Sequence, residues 1–352
     1  MKVVIAMSGG VDSSTAAGIL VKQGYQVIGI SLKLPNLGEV SVSGCCGIQG
    51  IDDARNVAQK LGIPFYALNY ENEFENEVIR YFCQEYINGR TPNPCIICNE
   101  KIKFGSLLKK AKELGADYIA TGHYARVEYD KLNKRYVLKK GKDIVKDQSY
   151  FLFSLSQNQL AHTLFPLGNY TKNEVRQLAR EFGLKVHNKP ASQEICFIPN
   201  NDYRRFLTTR FITDKFKPGL IVAKDGRILG KHQGIAFYTI GQRKGIGAYK
   251  KPFYVISINK EKNTIVVGEE KELYQDMLIA EKVNWIDREK PSDSIRAKAK
   301  IRYKHQESDA IIFPLSDTRV KVQFNKPQRA ITSGQAVVFY DSDTVIGGGW
   351  IC

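Results

Sequence analysis

The chain has 352 residues, of which 43% are hydrophobic and 25% are charged, and this composition excludes a disordered, collagen-like or membrane-embedded protein. Its formal net charge of +16 favours a large polyanionic partner, with a merely solubilising charge as the alternative. No apolar run approaches the roughly 20 residues that span a bilayer, and no targeting segment is visible. We therefore expect a cytoplasmic protein without membrane contact, and the odd number of cysteines, seven, fits a reducing compartment.

Strand-like and helix-like stretches alternate over about the first 125 residues, beginning with "KVVIAM" and "STAAGILVKQG". This alternation predicts βαβ units and a doubly wound parallel sheet, the α/β class. Gly24, Gly62 and Gly115 each follow a helical pattern, as glycines that end helices do. Thr171, with Glu174 three residues later, predicts a capping box at the start of a further helix.

The pattern changes after about residue 205 to short alternating strands separated by turns, such as the hairpin turn "KDGR". We expect a catalytic domain over residues 1–205, a small β-rich domain over 206–277 and a β-barrel over 278–352. The run "RAKAKIRYK" predicts a strand with five cations on one face, for contact with phosphates or simply with solvent: Arg296, Lys298, Lys300, Arg302 and Lys304.

The stretch "VVIAMSGGVDSSTAAGIL" runs from a buried strand through Gly9 and Gly10 into a helix, which makes an anion site of backbone N–H groups. The lysine of a Walker loop is absent. Asp12 would repel a phosphate unless Mg²⁺ lies between them, whereas Ser8, Ser13 and Ser14 can donate hydrogen bonds. Such a loop suits a departing pyrophosphate, and it predicts attack on the α-phosphorus of ATP rather than phosphorylation. A plain glycine turn is the alternative. "SGGVDSS" resembles the PP-loop signature of the ATP pyrophosphatases.

Three cysteines suggest sulfur chemistry. Cys95 and Cys98 lie in "GRTPNPCIICNEKIKFG", close to two lysines that lower a thiol pKa, and Cys196 lies in "SQEICFIPN". A zinc site that includes Cys45 and Cys46 is the structural alternative. If an adenylated carbonyl is attacked by sulfur, C=O becomes C=S with AMP as the leaving group. The basic composition predicts that the carbonyl belongs to a nucleic acid.

The whole chain resembles the tRNA-specific 2-thiouridylase family, because "AMSGGVDSS", "GRTPNPCIICNEKIKFG", "ATGHYAR", "KDQSYFLFSL", "SQEICFIP", "YTIGQRKGIG", "IRY" and "GGGWI" occur in the family's order. The resemblance implies a PP-loop domain, a small central domain and a C-terminal β-barrel that binds tRNA. It implies ATP-dependent 2-thiolation of the wobble uridine (U34) with release of AMP and pyrophosphate. ATP, Mg²⁺, the tRNA anticodon stem-loop and an upstream sulfur donor protein are the partners it implies.

The resemblance also assigns residues. Cys196 is similar to the persulfide carrier, and Cys98 to the thiol that forms a disulfide with it. The ATP contacts it implies are Ala6, Met7, Ser8, Gly9, Gly10, Val11, Asp12, Ser13, Leu32 and Gly122, with Asp12 holding Mg²⁺. Asn93, Pro94 and Cys95 resemble the segment facing the target base. The tRNA contacts it implies are His123, Lys146, Asp147, Gln148, Arg302, Tyr303 and Gln335.

Cys95 departs from the family pattern, which has aspartate at this position. Cys95, Cys98 and Cys196 could therefore hold a [4Fe–4S] cluster with an open iron for sulfide, and the sequence leaves the persulfide and cluster routes open. Two other functions stay possible from the sequence: a PP-loop synthetase acting on a small molecule, and an RNA-binding or sulfur-carrying protein without catalysis.

Overall fold

The N-terminal part of the chain is built on a parallel sheet. The computed structural model describes residues 1–35, 48–189, 195–210, 216–247, 249 and 251–352. Five parallel strands lie in the order β3-β2-β1-β4-β7. Their bounds are β1 (Lys2–Ala6), β2 (Gln26–Lys33), β3 (Phe65–Asn69), β4 (Tyr118–Ala120) and β7 (Thr163–Leu164), and the hairpin of β5 (Ala125–Asp130) and β6 (Arg135–Lys140) follows β4.

Helices cover both faces of this sheet, which confirms the doubly wound α/β prediction. The α-helical segments are α1 (Val11–Lys22), α2 (Ile48–Leu61), α3 (Glu71–Phe74), α4 (Arg80–Ile87), α5 (Pro94–Ile97), α6 (Leu108–Glu113), α7 (Gln157–Ala161), α8 (Lys172–Glu181) and α9 (Tyr203–Arg210). Segments Glu75–Ile79 and Cys98–Leu107 are π-helical. Successive residues of β1 point to opposite faces: Val3 and Ile5 pack with α1, α2 and α8, and Val4 packs with α4 and α6.

Local signals in the sequence placed the helix ends correctly. The glycines after α1, α2 and α6 have φ of +82°, +68° and +71°, a left-handed conformation that glycine adopts without strain. Thr171 accepts a hydrogen bond from the Glu174 N–H, and the Glu174 carboxylate accepts one from the Thr171 N–H, so the capping box is confirmed.

A small sheet forms the middle of the chain. It has the order β10-β11-β8-β9, from β8 (Gly219–Ala223), β9 (Ile228–His232), β10 (Tyr254–Asn259) and β11 (Thr264–Gly268). The "KDGR" turn joins β8 to β9, and Gly226 has φ of +88° there, so the hairpin prediction is confirmed.

The C-terminal strands close into a barrel because β12 pairs with both β15 and β17. Its strands are β12 (Tyr274–Trp285), β13 (Ile295–Lys300), β14 (Ser308–Pro314), β15 (Arg319–Arg329), β16 (Ala336–Asp341) and β17 (Thr344–Ile351). The β5–β6 hairpin extends the barrel sheet, since β6 pairs with β17. The prediction of five cations on one strand is wrong: β13 ends at Lys300, and a turn in which the His305 N–H donates to the Arg302 carbonyl follows.

Candidate active site

The loop between β1 and α1 is a compact anion cradle. Gly9 has φ of +70°, and a Cβ on it would lie 2.1 Å from the Gly50 carbonyl oxygen, so no larger residue fits. The Ser13 hydroxyl accepts a hydrogen bond from the Ser8 N–H at 3.1 Å and lies 3.2 Å from the Ser8 hydroxyl. Ser14 Oγ is buried and has no hydrogen-bond partner within the ranges that the structure describes. The start of α1 therefore presents N–H and hydroxyl donors to one point.

Gly122 brings a second strand end against this loop. A Cβ on Gly122 would lie 2.7 Å from the Ser13 backbone nitrogen and 2.8 Å from the Asp12 carbonyl carbon. Leu32 is buried near the carboxyl end of β2, beside β1. Because the carboxyl ends of parallel strands meet at one edge, the fold gathers the residues predicted to bind ATP at that edge.

Asp12 is bound by two residues that the sequence analysis missed. Lys172 Nζ lies 2.6 Å from Asp12 Oδ1 and 2.7 Å from Oδ2, and the Tyr124 hydroxyl donates to Oδ1 at 2.7 Å. Burial and then Asp12 raise the pKa of Tyr124, so its hydroxyl keeps its proton. A lysine in the first turn of a helix opposes the helix dipole, and this was the one signal that Lys172 has a carboxylate partner.

A second lysine contacts the backbone of the loop. Lys189 Nζ donates to the Gly9 carbonyl at 3.3 Å and to Asp53 Oδ2 of α2 at 2.5 Å. The anion cradle has no lysine of its own, but two lysines from later parts of the chain flank it.

The predicted base-facing segment lies at the start of α5, directly before the π-helical segment Cys98–Leu107. Pro94 is the first residue of α5, where its missing N–H costs nothing, and Cys95 is exposed, whereas Cys98 is half-buried. Asn99 is buried, donates to the Phe151 carbonyl at 3.1 Å and accepts from Lys103 Nζ at 3.0 Å. These contacts fix the backbone next to Cys98.

Cys196 is positioned by the residue that follows it. The Phe197 ring packs edge-on against Phe74 and Phe82, with centroids 5.6 and 5.3 Å apart. Phe74 and Phe82 lie on one continuous helical stretch formed by α3, the π-helical segment Glu75–Ile79 and α4. This stretch also contacts α5 and the π-helical segment that begins at Cys98. Both predicted sulfur-handling segments therefore pack on one helix, while Cys45 and Cys46 lie outside the described residues.

The structure was searched for groups of side chains that could hold a metal ion. Among the residues that the structure describes, which include Cys95, Cys98 and Cys196, no group of three or more His, Cys, Asp or Glu side chains is placed to hold a metal ion.

His123 lies inside the fold. It is 8% exposed, its Nδ1 lies 2.7 Å from the Thr121 hydroxyl, and its ring packs near Phe104 and Phe165. Burial and then the charge of Lys103 lower the pKa of His123, so it is neutral near pH 7. A direct tRNA contact by this residue stays a prediction.

The segment of Lys146, Asp147 and Gln148 is linked to the anion cradle through Tyr124. Asp147 is buried and accepts hydrogen bonds from the Gly141 and Ser149 N–H groups at 3.0 and 3.1 Å. Burial raises the pKa of Asp147. The Gln148 side chain accepts from the Tyr124 N–H at 3.1 Å, which links this predicted tRNA-binding segment to Asp12 through Tyr124.

Gln335 joins the barrel to the residues directly before the base-facing segment. Its amide donates to the Thr91 carbonyl at 2.9 Å and to the Pro92 carbonyl at 3.3 Å, and the Thr91 N–H donates to the Ser333 carbonyl at 2.9 Å. The barrel therefore fixes the segment in which Cys95 lies.

The other two predicted tRNA contacts of the barrel also make internal contacts. Arg302 donates to the Arg329 and Ala330 carbonyls, and the Tyr303 ring packs 4.4 Å from the Phe151 ring between centroids. Their contact with tRNA stays a prediction.

The parallel sheet, the glycine turn at its carboxyl edge and the donor-rich start of α1 define a nucleotide-binding α/β protein. The loop has no lysine of its own, unlike a Walker loop, and Lys172 and Lys189 from later parts of the chain contact it. Residues 1–200 match the family described as "tRNA methyl transferase HUP domain", residues 204–269 a "tRNA methyl transferase PRC-barrel domain" and residues 275–351 an "Aminomethyltransferase beta-barrel domain".

Full-length relatives identify the family. The chain is 54% identical over 357 residues to the tRNA-specific 2-thiouridylase MnmA of Halothermothrix orenii, covering 99% of this chain and 98% of the relative. It is 54% identical over 356 residues to the protein of the same name from Acetivibrio thermocellus, covering 99% of each. The chain belongs to the tRNA-specific 2-thiouridylases, a family of tRNA sulfurtransferase enzymes. Within the described ranges, no helix has both the length and the apolar character needed to cross a membrane.

Proposed function

We propose that this enzyme uses ATP to replace O2 of the wobble uridine (U34) of tRNA with sulfur and releases AMP and pyrophosphate. The observation that carries the proposal is the lysine-free glycine cradle in a chain whose relatives, 54% identical over its full length, are named tRNA-specific 2-thiouridylases. The net charge of +16 supports a polyanionic substrate.

The cradle would bind the diphosphate end of ATP. The N–H groups at the start of α1 and the hydroxyls of Ser8 and Ser13, 3.2 Å apart, would be its hydrogen-bond donors, and the Ser13 hydroxyl would turn to ATP from the Gly10 carbonyl. Mg²⁺, when bound, would neutralise phosphate charge, and the Asp12 carboxylate has the oxygen ligands that it prefers. In the structure this carboxylate is paired with Lys172, so a metal would share Asp12 with that lysine or displace it.

The chemistry proceeds in three displacements, at phosphorus, at C2 and at sulfur. Uridine O2 attacks the α-phosphorus, a new P–O bond forms, and pyrophosphate leaves with the electron pair of the α–β bridge while the N3 proton is lost. The terminal sulfur of a Cys196 persulfide then attacks C2, and AMP leaves with the C2–O pair. The Cys98 thiolate attacks the Cys196 sulfur, which breaks the S–S bond and leaves the sulfur on C2. A thiol reductant must then reduce the Cys98–Cys196 disulfide, and an upstream sulfur donor must reload Cys196.

The persulfide route uses only Cys98 and Cys196, on segments that pack on the same helix. The cluster route would also need Cys95 as a ligand. Iron and acid-labile sulfide in protein purified without oxygen, lost in Cys95→Ser, would favour the cluster route instead.

The test is thiolation of unmodified tRNA by purified protein with ATP, Mg²⁺ and a persulfide donor. We expect AMP and pyrophosphate, and a uridine mass that shows oxygen replaced by sulfur. Cys98→Ser and Cys196→Ser should still release pyrophosphate, because adenylation uses neither thiol, but they should transfer no sulfur. Exposed Cys352→Ser is the matched control with full activity. Formation of ADP, or a methylated uridine as the family descriptions would suggest, would contradict the proposal. AMP formed with a small molecule in place of tRNA would favour a synthetase.

A further inference from the structure

The anion cradle contains an acidic side chain and no basic one, yet the reaction releases a strongly anionic pyrophosphate. Removal of one well-placed donor from such a site costs about 10²–10³-fold in rate in other enzymes. A cation is therefore expected near Asp12, and the question is which element provides it.

α8 places a lysine at this point. It packs alongside α1, with the Thr15 hydroxyl 3.5 Å from the Val175 carbonyl. Its first residue, Lys172, has its backbone N–H fixed by Asp143 at 2.9 Å and its side chain extended to Asp12. The Lys172 side chain is only 12% exposed, while that of Asp12 is 30% exposed and so remains accessible from the cradle.

The contact with Asp12 does not use all the hydrogen-bond donors of Lys172. A lysine ammonium has three N–H donors, and the contacts with the two Asp12 oxygens use two of them. Removing two charges from water is costly, so a partly buried pair next to an anion site is poorly explained as a stabilising contact alone.

A second cation on the same helix face supports this reading. Arg176 lies one turn after Lys172, and positions four apart share a face. Its Nε is buried and has no hydrogen-bond partner among the described residues. Arg176 is close enough to Tyr124, which donates to Asp12, for its charge to act on that phenol.

We infer that Lys172 is a catalytic residue: its ammonium binds the β- or γ-phosphate of ATP and stabilises the negative charge that develops on pyrophosphate as the α–β bond breaks. Asp12 holds the ammonium in place before ATP binds. α8 thus supplies, from 160 residues further along the chain, the cation that the loop lacks. The inference rests on the proposed function, since it assumes that ATP is cleaved between the α- and β-phosphates.

Two binding measurements separate this role from a structural one. The probes are α,β-methylene-ATP, which carries the β- and γ-phosphates but cannot be cleaved at that bond, and AMP, which lacks them. Lys172→Met should weaken binding of the ATP analogue by about 10–100-fold, the effect of one charged hydrogen bond, and leave AMP binding unchanged. Lys172→Arg should keep much of the analogue affinity.

AMP formation in the presence of tRNA and the persulfide donor should fall by about 10²–10³-fold in Lys172→Met. The matched control is Lys142→Met, which removes an exposed lysine 2.9 Å from Glu174 of the same helix, and it should change neither measurement. Equal losses for AMP and the analogue, or normal AMP formation by Lys172→Met, would overturn the role of Lys172 and leave the proposed function intact. Absence of AMP formation by the unaltered protein would instead refute the proposed function.

Discussion

Replacing Gly122 with alanine tests whether the strand end after β4 and the start of α1 must touch for ATP to bind. The new Cβ would lie 2.7 Å from the Ser13 nitrogen, 2.8 Å from the Asp12 carbonyl carbon and 3.0 Å from the Ser13 Cα. All three are backbone atoms, so no side chain can rotate away, and either the first turn of α1 or the chain at Gly122 must move. Overpacking of this kind costs about 1–3 kcal/mol.

That cost is expected in ATP binding, because the displaced atoms are those of the cradle. At about 1.4 kcal/mol per tenfold, the affinity should fall by about 5–150-fold. The assay is equilibrium binding of α,β-methylene-ATP, with thermal unfolding measured in parallel. Gly230→Ala is the matched control, since its Cβ would meet no atom within 4 Å. Unchanged affinity in Gly122→Ala would show that the loop adapts at no cost and that the contact does not shape the site.

Two further predictions concern residues that the family resemblance links to tRNA. Burial holds the pKa of His123 well below 6.5, so below pH 6.5 the unfolded chain binds a proton that the folded chain does not. The free energy of unfolding should therefore fall with decreasing pH, by up to about 1.4 kcal/mol per pH unit from this group. Chemical denaturation on both sides of pH 6.5 should show a smaller pH dependence of stability in His123→Gln. Gln335→Ala removes the hydrogen bonds to the Thr91 and Pro92 carbonyls, directly before the base-facing segment, each worth about 0.5–1.5 kcal/mol. We therefore expect kcat for thiolation to fall by more than tRNA affinity. Weaker tRNA binding with unchanged kcat would support the direct tRNA contact instead.

The parts of the fold that the sequence predicted correctly depend on local signals. The parallel sheet follows from the alternation of strand-like and helix-like stretches. The capping box at Thr171 is determined by four consecutive residues. The anion cradle was also predictable, because the strand, the glycines and the helix start occupy one short stretch. The strand carrying Lys298 was predicted too long, because alternation of cations and small residues continues past the turn that ends it at Lys300.

The contacts that the sequence could not predict join distant residues. Lys172 and Asp12 are 160 positions apart, and Gln335 and Thr91 are 244 apart. The β5–β6 hairpin pairs with β17 of the barrel, and Arg126 of this hairpin binds Asp343 at 2.6 Å. The hydrophobic pattern within one segment cannot predict such pairings, because each of these polar side chains is equally compatible with a solvent-exposed position. A lysine at the start of α8 was the weak exception, because the helix dipole disfavours it.

The two lysines that contact the loop come from later parts of the chain, so the proposed nucleotide binding depends on folding of the whole N-terminal part. The loop alone carries only Asp12 as a charged group, so in isolation it would repel ATP. Lys172 contacts the loop only when α8 packs on α1. Lys189 contacts it only when the segment after α8 lies against α2, where Lys189 binds Asp53. Tyr124, which also holds Asp12, is in turn fixed by Gln148 in the segment predicted to contact tRNA. The proposed phosphate site is therefore complete only when elements far apart in sequence are assembled around it. Hydrogen bonds of Tyr124 link that site to Gln148, in the segment predicted to contact tRNA.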